Sequence, residues 1–260
     1  MEARDWDVEA GRLAGEAQAD GEPTRWFEQL WSAAARDEVD MPWDRTEAYH
    51  PVTAYLAGDA DGVGRRAVVV GAGLGADAEL LASRGYRTVA FDLAPSAVEL
   101  ARSRHPHSEV DYRVADLLGL PDDLVGAFDL VVEVFTVQAL PRILRREAVA
   151  GVRSLLAPGG ALLCVQFALP SGADPEQGPP WILTRDEMES FAAGDVTQAS
   201  LTRQPHPRGA ELPQTWVGVF RRSGTAPSVG QDAASRSSTP AARVHSSVPE
   251  PTTGPGARLR

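Results

Sequence analysis

The run Val68-Val69-Val70-Gly71-Ala72-Gly73-Leu74-Gly75 constrains this chain more than any other stretch, because a buried β-branched strand passes there into glycines and then into a helix. Glycines at that point let the backbone turn tightly and come close to a ligand, with the N-terminus of the following helix facing it. Twenty-one residues past Gly71, the second predicted strand ends in Asp92, where a carboxylate is placed to accept both hydroxyl protons of a ribose. The pair points to a bound nucleoside. Glycines that merely make a tight βα turn are the plainer alternative, and they leave the acid at the next strand end a coincidence.

Around this loop, from Arg66 to Phe220, short β-branched runs alternate with helical patterns, the sign of a parallel sheet wrapped by helices. Strands are predicted over 67–70, 88–91, 111–114, 130–134 and 161–167. The helix after the glycine loop ends at Gly85, the next carries Pro95 near its first turn, and a third begins at Pro141 and stops before Pro158-Gly159-Gly160. Thr184 with Glu187 three residues on forms a capping box that opens a short helix, and a hairpin of strands over 196–202 and 215–221 follows. Ahead of the sheet, 5–18 and 24–36 read as helices. The fold class is therefore α/β: a Rossmann-like, doubly wound, mostly parallel sheet with a C-terminal antiparallel hairpin and an N-terminal helical lid. We divide the chain into that lid (1–65), the main domain (66–222) and a tail (223–260) whose Ser, Pro and Gly content predicts disorder.

Charge and cysteine usage exclude several classes. The formal charge is −11, and residues 1–222 carry 21 bases against 34 acids, so the basic footprint of a nucleic-acid binder is missing. The single cysteine, Cys164, allows neither an intramolecular disulfide nor a multi-cysteine metal site, and no metal is expected. No apolar run approaches the ~20 residues that span a bilayer, and the first thirty residues do not read as a secretory signal, so a cytoplasmic location without membrane partners is the expectation.

Two further acids sharpen the ligand. The third strand runs into Val114-Ala115-Asp116-Leu117, and the fourth is preceded by Phe128-Asp129 and ends in Glu133. With the glycine loop and Asp92, this spacing resembles the class I S-adenosylmethionine-dependent methyltransferases over most of the ordered chain. The resemblance implies S-adenosylmethionine as cofactor, with Gly71, Ala72 and Gly73 at its methionine moiety and Asp92 at its ribose. It further implies Leu93 against the adenine face, Asp116 with Leu117 at the adenine amino group, and Glu133, Val134, Phe135 and Thr136 beneath it toward the reaction centre. A sulfonium with its own ammonium and carboxylate suits nearby carboxylates and backbone donors. Gly71, Gly73 and Ala76 also satisfy the relaxed dinucleotide fingerprint, so an NAD-dependent oxidoreductase stands as a rival, although the chain has no Lys and hence no Tyr-x-x-x-Lys relay. A cofactor-binding regulatory module without turnover is another.

Upstream, Phe27 and Trp31 share one helical face, followed by Met41-Pro42-Trp43-Asp44-Arg45. Aromatic faces suit a sulfonium or an adenine ring, or else they are core packing. This block, with the Val134–Pro141 segment, resembles the thiopurine methyltransferase-type branch. That likeness implies Trp31 over the cofactor, Trp43 as a lid, Thr136 in the substrate pocket, and a small-molecule acceptor with a soft sulfur or other N or O nucleophile. Glu133 and His50, the latter at the proposed entrance, are the candidates for proton transfer, with a polar contact to the cofactor the favoured alternative for Glu133 and a loop histidine of no chemical role that for His50. Trp181 either closes the pocket from the other side or staples the helix that starts at Thr184. Cys164 lies mid-strand, so no cysteine nucleophile is proposed.

Overall fold

The computed structural model describes residues 5–41, 43–58, 61–206, 209 and 212–224. Residues 1–226 make up one compact unit. The tail predicted to be disordered lies, from residue 225 on, outside the described residues.

Seven strands form one sheet: β1 (Arg66–Val70), β2 (Arg87–Asp92), β3 (Asp111–Val114), β4 (Phe128–Val134), β5 (Leu156–Phe167), β6 (Val196–Gln204) and β7 (Thr215–Arg222), in the order β3-β2-β1-β4-β5-β7-β6. The first five are parallel; β7 runs antiparallel to both β5 and β6. Helices cover both faces, which is why β1 and β4 read as continuous apolar runs and not as alternating ones. One apolar layer gathers Val68, Phe91, Phe128, Val131 and Leu162, the other Val69, Leu81, Leu130, Val132 and Leu163. Strand order reverses between β1 and β4. In open α/β sheets, ligands bind in the crevice at such a switch point, outside the carboxyl ends of the strands.

The helices are α1 (Trp6–Ala19), α2 (Arg25–Ala34), α3 (His50–Ala57), α4 (Ala76–Ser83), α5 (Pro95–Arg104), α6 (Arg145–Ser154) and α7 (Arg185–Glu189). Pro95 stands in the first turn of α5, and the Thr184/Glu187 capping box closes reciprocally at α7, both as the sequence predicts. α1 and α2 pack on each other around Trp26, which is 1% exposed.

Two elements differ from the sequence reading. α3 is not among the predicted helices: its eight residues open with Pro51 in the first turn and carry too little periodicity to announce a helix. The Pro158-Gly159-Gly160 run, read as a loop that stops a helix, belongs instead to the first part of β5. There Leu156 pairs with Phe128 ahead of a register shift, and a Cβ at Gly160 would stand 2.7 Å from the Phe128 carbonyl oxygen. The register shift, a bulge-like irregularity, thus hides half a strand behind a helix-stop signal.

Candidate active site

A cleft opens at the carboxyl ends of β1, β2, β3 and β4, with α2 and the segment after it as its far wall. Its floor is built by backbone. Gly71 and Gly73 take φ of +60° and +50°, a region that side chains rarely adopt. At Gly71 the need is also steric: a Cβ there would stand 2.3 Å from the Thr136 hydroxyl.

Asp92 holds this floor in shape. One carboxylate oxygen accepts from the Gly73 amide at 3.0 Å, the other from the Ala94 amide at 3.0 Å. Burial pushes the Asp92 carboxyl up, opposed by the amides of Ala94, Gly73 and Leu93. Beyond β3, half-buried Asp116 accepts from the Leu118 amide at 2.8 Å and so bends the chain into a shelf formed by Asp116, Leu117 and Leu118.

The opposite wall comes from the N-terminal layer. The Trp31 ring would lie 3.5 Å from a Cβ at Gly73, so it sits over the glycine loop, and Trp43 tilts against it at 5.9 Å. Phe27 and Arg45 complete this wall. The layer is fastened to α5 by Glu28, whose carboxylate accepts from the Ser96 amide at 3.0 Å and the Ser96 hydroxyl at 2.6 Å. Arg104 grips Asp44 at 2.6 Å, and Arg45 pairs with Asp77 at 2.8 Å. Asp77 also accepts from the Tyr49 amide at 2.7 Å.

Of the residues singled out from sequence, Gly71, Ala72, Gly73, Asp92, Leu93, Asp116, Leu117, Val134, Thr136, Trp31 and Trp43 all line this one cleft. Three do not. His50 is exposed at the start of α3, outside the cleft wall. Trp181 is 5% exposed and packs with α1 and α2, its amide donating to the Gln138 carbonyl at 2.7 Å; it braces the β4 exit from behind. Glu133 is 0% exposed beneath the floor and touches no cleft surface. A strand-end acid is visible in sequence, but the sequence does not say whether its side chain turns up into the crevice or down between strands.

Sequence reasoning assigns no role to Arg45, Ala139 or Leu140. The latter two close a short turn that begins at Val137, and its apolar residues look like any core segment. Arg45 carries a signal in retrospect, as the basic residue in the Trp43-Asp44-Arg45 run. It is the one cation among the described residues that line the cleft, against Asp92 and Asp116. No cluster of described residues has the makings of a metal site, and no helix among them is long and apolar enough to cross a membrane.

Comparison with known proteins speaks to the family and the fold. Residues 24–216 match the thiopurine S-methyltransferase family. A thiopurine S-methyltransferase of Vibrio vulnificus (strain YJ016) is 28% identical over 142 residues, 53% of this chain and 63% of that relative, so the match spans less than two thirds of the relative's length. Among solved structures, one from work on conversion of a disulfide bond into a thioacetal group during echinomycin biosynthesis aligns with a TM-score of 0.62. Its identity is 23%, over 78% of this chain and 96% of that one. The Burkholderia thailandensis 1,6-didemethyltoxoflavin-N1-methyltransferase, solved with S-adenosylhomocysteine, aligns at 0.59 and 20% identity over 76% and 87%. The mixed seven-stranded sheet is thus the Rossmann-like methyltransferase fold. The chain belongs to the thiopurine S-methyltransferase family, and with it to the S-adenosylmethionine-dependent methyltransferases.

Proposed function

We propose that the chain transfers a methyl group from S-adenosylmethionine to a small acceptor with a soft nucleophile, a thiolate above all. Asp92 carries the reading. Its carboxylate lines the cleft at the end of β2 beside the glycine loop, fixed there by the Gly73 and Ala94 amides, a charged acceptor where a vicinal ribose diol would need one. The Asp116 to Leu118 shelf suits the adenine, and Gly71 to Gly73 present bare main chain to the methionine half. Arg45 offers that half a cation for its carboxylate: one guanidinium nitrogen is on Asp77, and Nη1 is buried with no hydrogen-bond partner among the described residues.

When bound, the cofactor would supply an electrophilic methyl on a sulfonium, open to in-line attack by the acceptor with the thioether as leaving group. The protein's part is alignment and dryness. Phe135, Thr136, Ala139 and Leu140 line one side of the cleft and Phe27 and Trp43 the other, a mostly apolar surround that excludes water and fixes the angle of approach. The titratable residues that line the cleft, Asp92, Asp116 and Arg45, are each engaged by main chain or partner. An acceptor that arrives already ionised needs no base from such a wall, which favours a thiolate over an amine or alcohol.

The test is S-adenosylhomocysteine formation, followed by mass spectrometry, with matched aromatic thiols, phenols and amines. The reading expects turnover with thiols first. Tight cofactor binding with no product across the panel would favour a non-catalytic module, and preference for amines would overturn the soft-acceptor assignment.

A further inference from the structure

Glu133 looks in sequence like a residue for proton transfer, yet its surroundings give it another task. It is the penultimate residue of β4 and fully buried. One carboxylate oxygen accepts from the amides of Thr136 at 2.7 Å and Val137 at 2.8 Å. The other accepts from the Cys164 thiol at 3.0 Å and from the Gln166 side-chain amide. With two donors on each oxygen, no lone pair is left for a substrate proton.

What these bonds secure is the turn that leaves β4. Phe135 sits at φ +61°, a strained setting for an aromatic residue, and persists only because its neighbours over-determine it. Next to it the Thr136 hydroxyl donates to the Val70 carbonyl at 2.9 Å, which presses that side chain into the space above Gly71. The Phe135 ring stacks on Phe167 at 4.6 Å. Behind the turn, the Gln166 side chain accepts from the Gln138 backbone amide at 3.3 Å, and the Gln138 side chain accepts from the Phe167 amide at 2.7 Å. Phe135 and Thr136 are cleft residues; Glu133, Gln166 and Gln138 are the buried polar network that holds them.

We infer that Glu133 is a positioning residue: its carboxylate clamps the β4-exit turn so that Phe135 and Thr136 meet the reacting atoms in one fixed geometry, and it takes no proton from the acceptor. This deepens the methyl-transfer reading and rests on it for the catalytic arm of the test only.

The clamp has a specific repair. In Glu133→Gln an amide nitrogen faces the Gln166 amide, donor against donor. Adding Gln166→Glu reverses both partners: the amide introduced at position 133 keeps its oxygen on the two turn amides and donates to the carboxylate introduced at position 166. Glu133→Gln is expected to lower kcat roughly ten- to a hundredfold, because misplacement of the floor costs alignment. S-adenosylhomocysteine affinity should change by less than about threefold, since Asp92 and the shelf are untouched. The double exchange should restore most of kcat without altering its pH profile. A double exchange as inactive as the single variant would make Glu133 itself the chemical group and overturn the inference. Hydrogen exchange gives an arm independent of catalysis: peptides covering 134–140 should lose protection in Glu133→Gln and regain it in the double exchange, while 88–92 stay unchanged. Unchanged protection in the single variant would refute the clamp even if no acceptor is ever found. Should Glu133→Gln not fold, Gln166→Met removes the donor to Glu133 together with the acceptor of the Gln138 amide; peptides covering 134–140 should lose protection there as well, and wild-type protection would contradict the proposal.

Discussion

The two walls of the cleft are made differently. The sheet wall is backbone: glycines at positive φ, strand ends, and carboxylates that hold amides, all fixed by ladders running from β3 to β5 with apolar layers on both faces. The N-terminal wall is side chain: Phe27 and Trp31 on α2 and Trp43 and Arg45 on the segment after it, beside a small core around Trp26. They meet α4, α5 and the loops leading into them through a patch of Trp31, Leu74, Ala94 and Ala97 and through the Glu28–Ser96, Asp44–Arg104 and Arg45–Asp77 contacts. A ladder is lost all at once, whereas a handful of side-chain links loosens piece by piece. On the proposed reading, the difference assigns the adenosine grip to the ladder-built half, and enclosure to the half expected to give way first.

The largest effect that could break this comparison is in the cores. Trp26→Ala should cost about 3–5 kcal/mol, as removal of a buried Trp does, and the loss should fall on the N-terminal layer. Hydrogen exchange should then show α1 and α2 opening while β1 and β4 stay protected. Phe128→Ala, of similar size in the sheet core, should unfold everything in one transition. If Trp26→Ala also melts as one unit, the halves are not separable.

Next in size, Asp92→Ala should weaken cofactor binding by ~1–3 kcal/mol by calorimetry, because buried ribose hydroxyls lose a charged acceptor, with the N-terminal layer still ordered. Unchanged affinity would move the adenosine grip elsewhere. Arg45→Met sharpens the contrast from the other wall: S-adenosylhomocysteine should bind about tenfold more weakly, ~1.4 kcal/mol, whereas methylthioadenosine, which has no carboxylate, should bind as before. Equal losses for both ligands would make Arg45 a structural link only.

The smallest effect is in pH. Arg104 holds the Asp44 carboxyl below its ordinary range, so the stability that this pair adds is present above that range and fades as the pH falls through the depressed value. Burial raises Asp92 and Glu133, so their ionisation costs stability as pH rises, and acidification does not take stability away through them. Lowering pH should therefore loosen 43–52, by exchange measured from neutral to acid, in company with the sheet-edge pairs Arg113–Asp123 and Arg222–Asp195, which fade in the same direction. Asp44 is partly exposed, so the shift should be slight, and Asp44→Asn should abolish it.

The same division decides what is legible in the sequence. β1, β2, β4 and the glycine loop announce themselves because period and glycine placement are backbone properties, and Asp92 follows from a fixed spacing. Trp31 and Trp43 emerge only through a resemblance, since aromatic residues at helical spacing look alike in a core and in a lid. Glu133 and Trp181 are predicted near the right element but on the wrong side of it. Sequence gives the strand end, whereas the direction of the side chain is settled by Gln166, Cys164 and Arg145, which come from β5 and α6 far along the chain. Nearness to Tyr49 ties His50 to the entrance in sequence, and the unpredicted α3 turns it to solvent.

The central claim is that the ends of β2 and β3 hold an adenosine whose methionine half lies on the glycine loop. A crystal structure with S-adenosylhomocysteine tests it directly. The ribose hydroxyls should lie within hydrogen-bond distance of the Asp92 carboxylate, with the adenine at Asp116 to Leu118 and the sulfur facing Phe135 and Thr136. An empty cleft at saturating ligand, or a ribose bound away from Asp92, would contradict it.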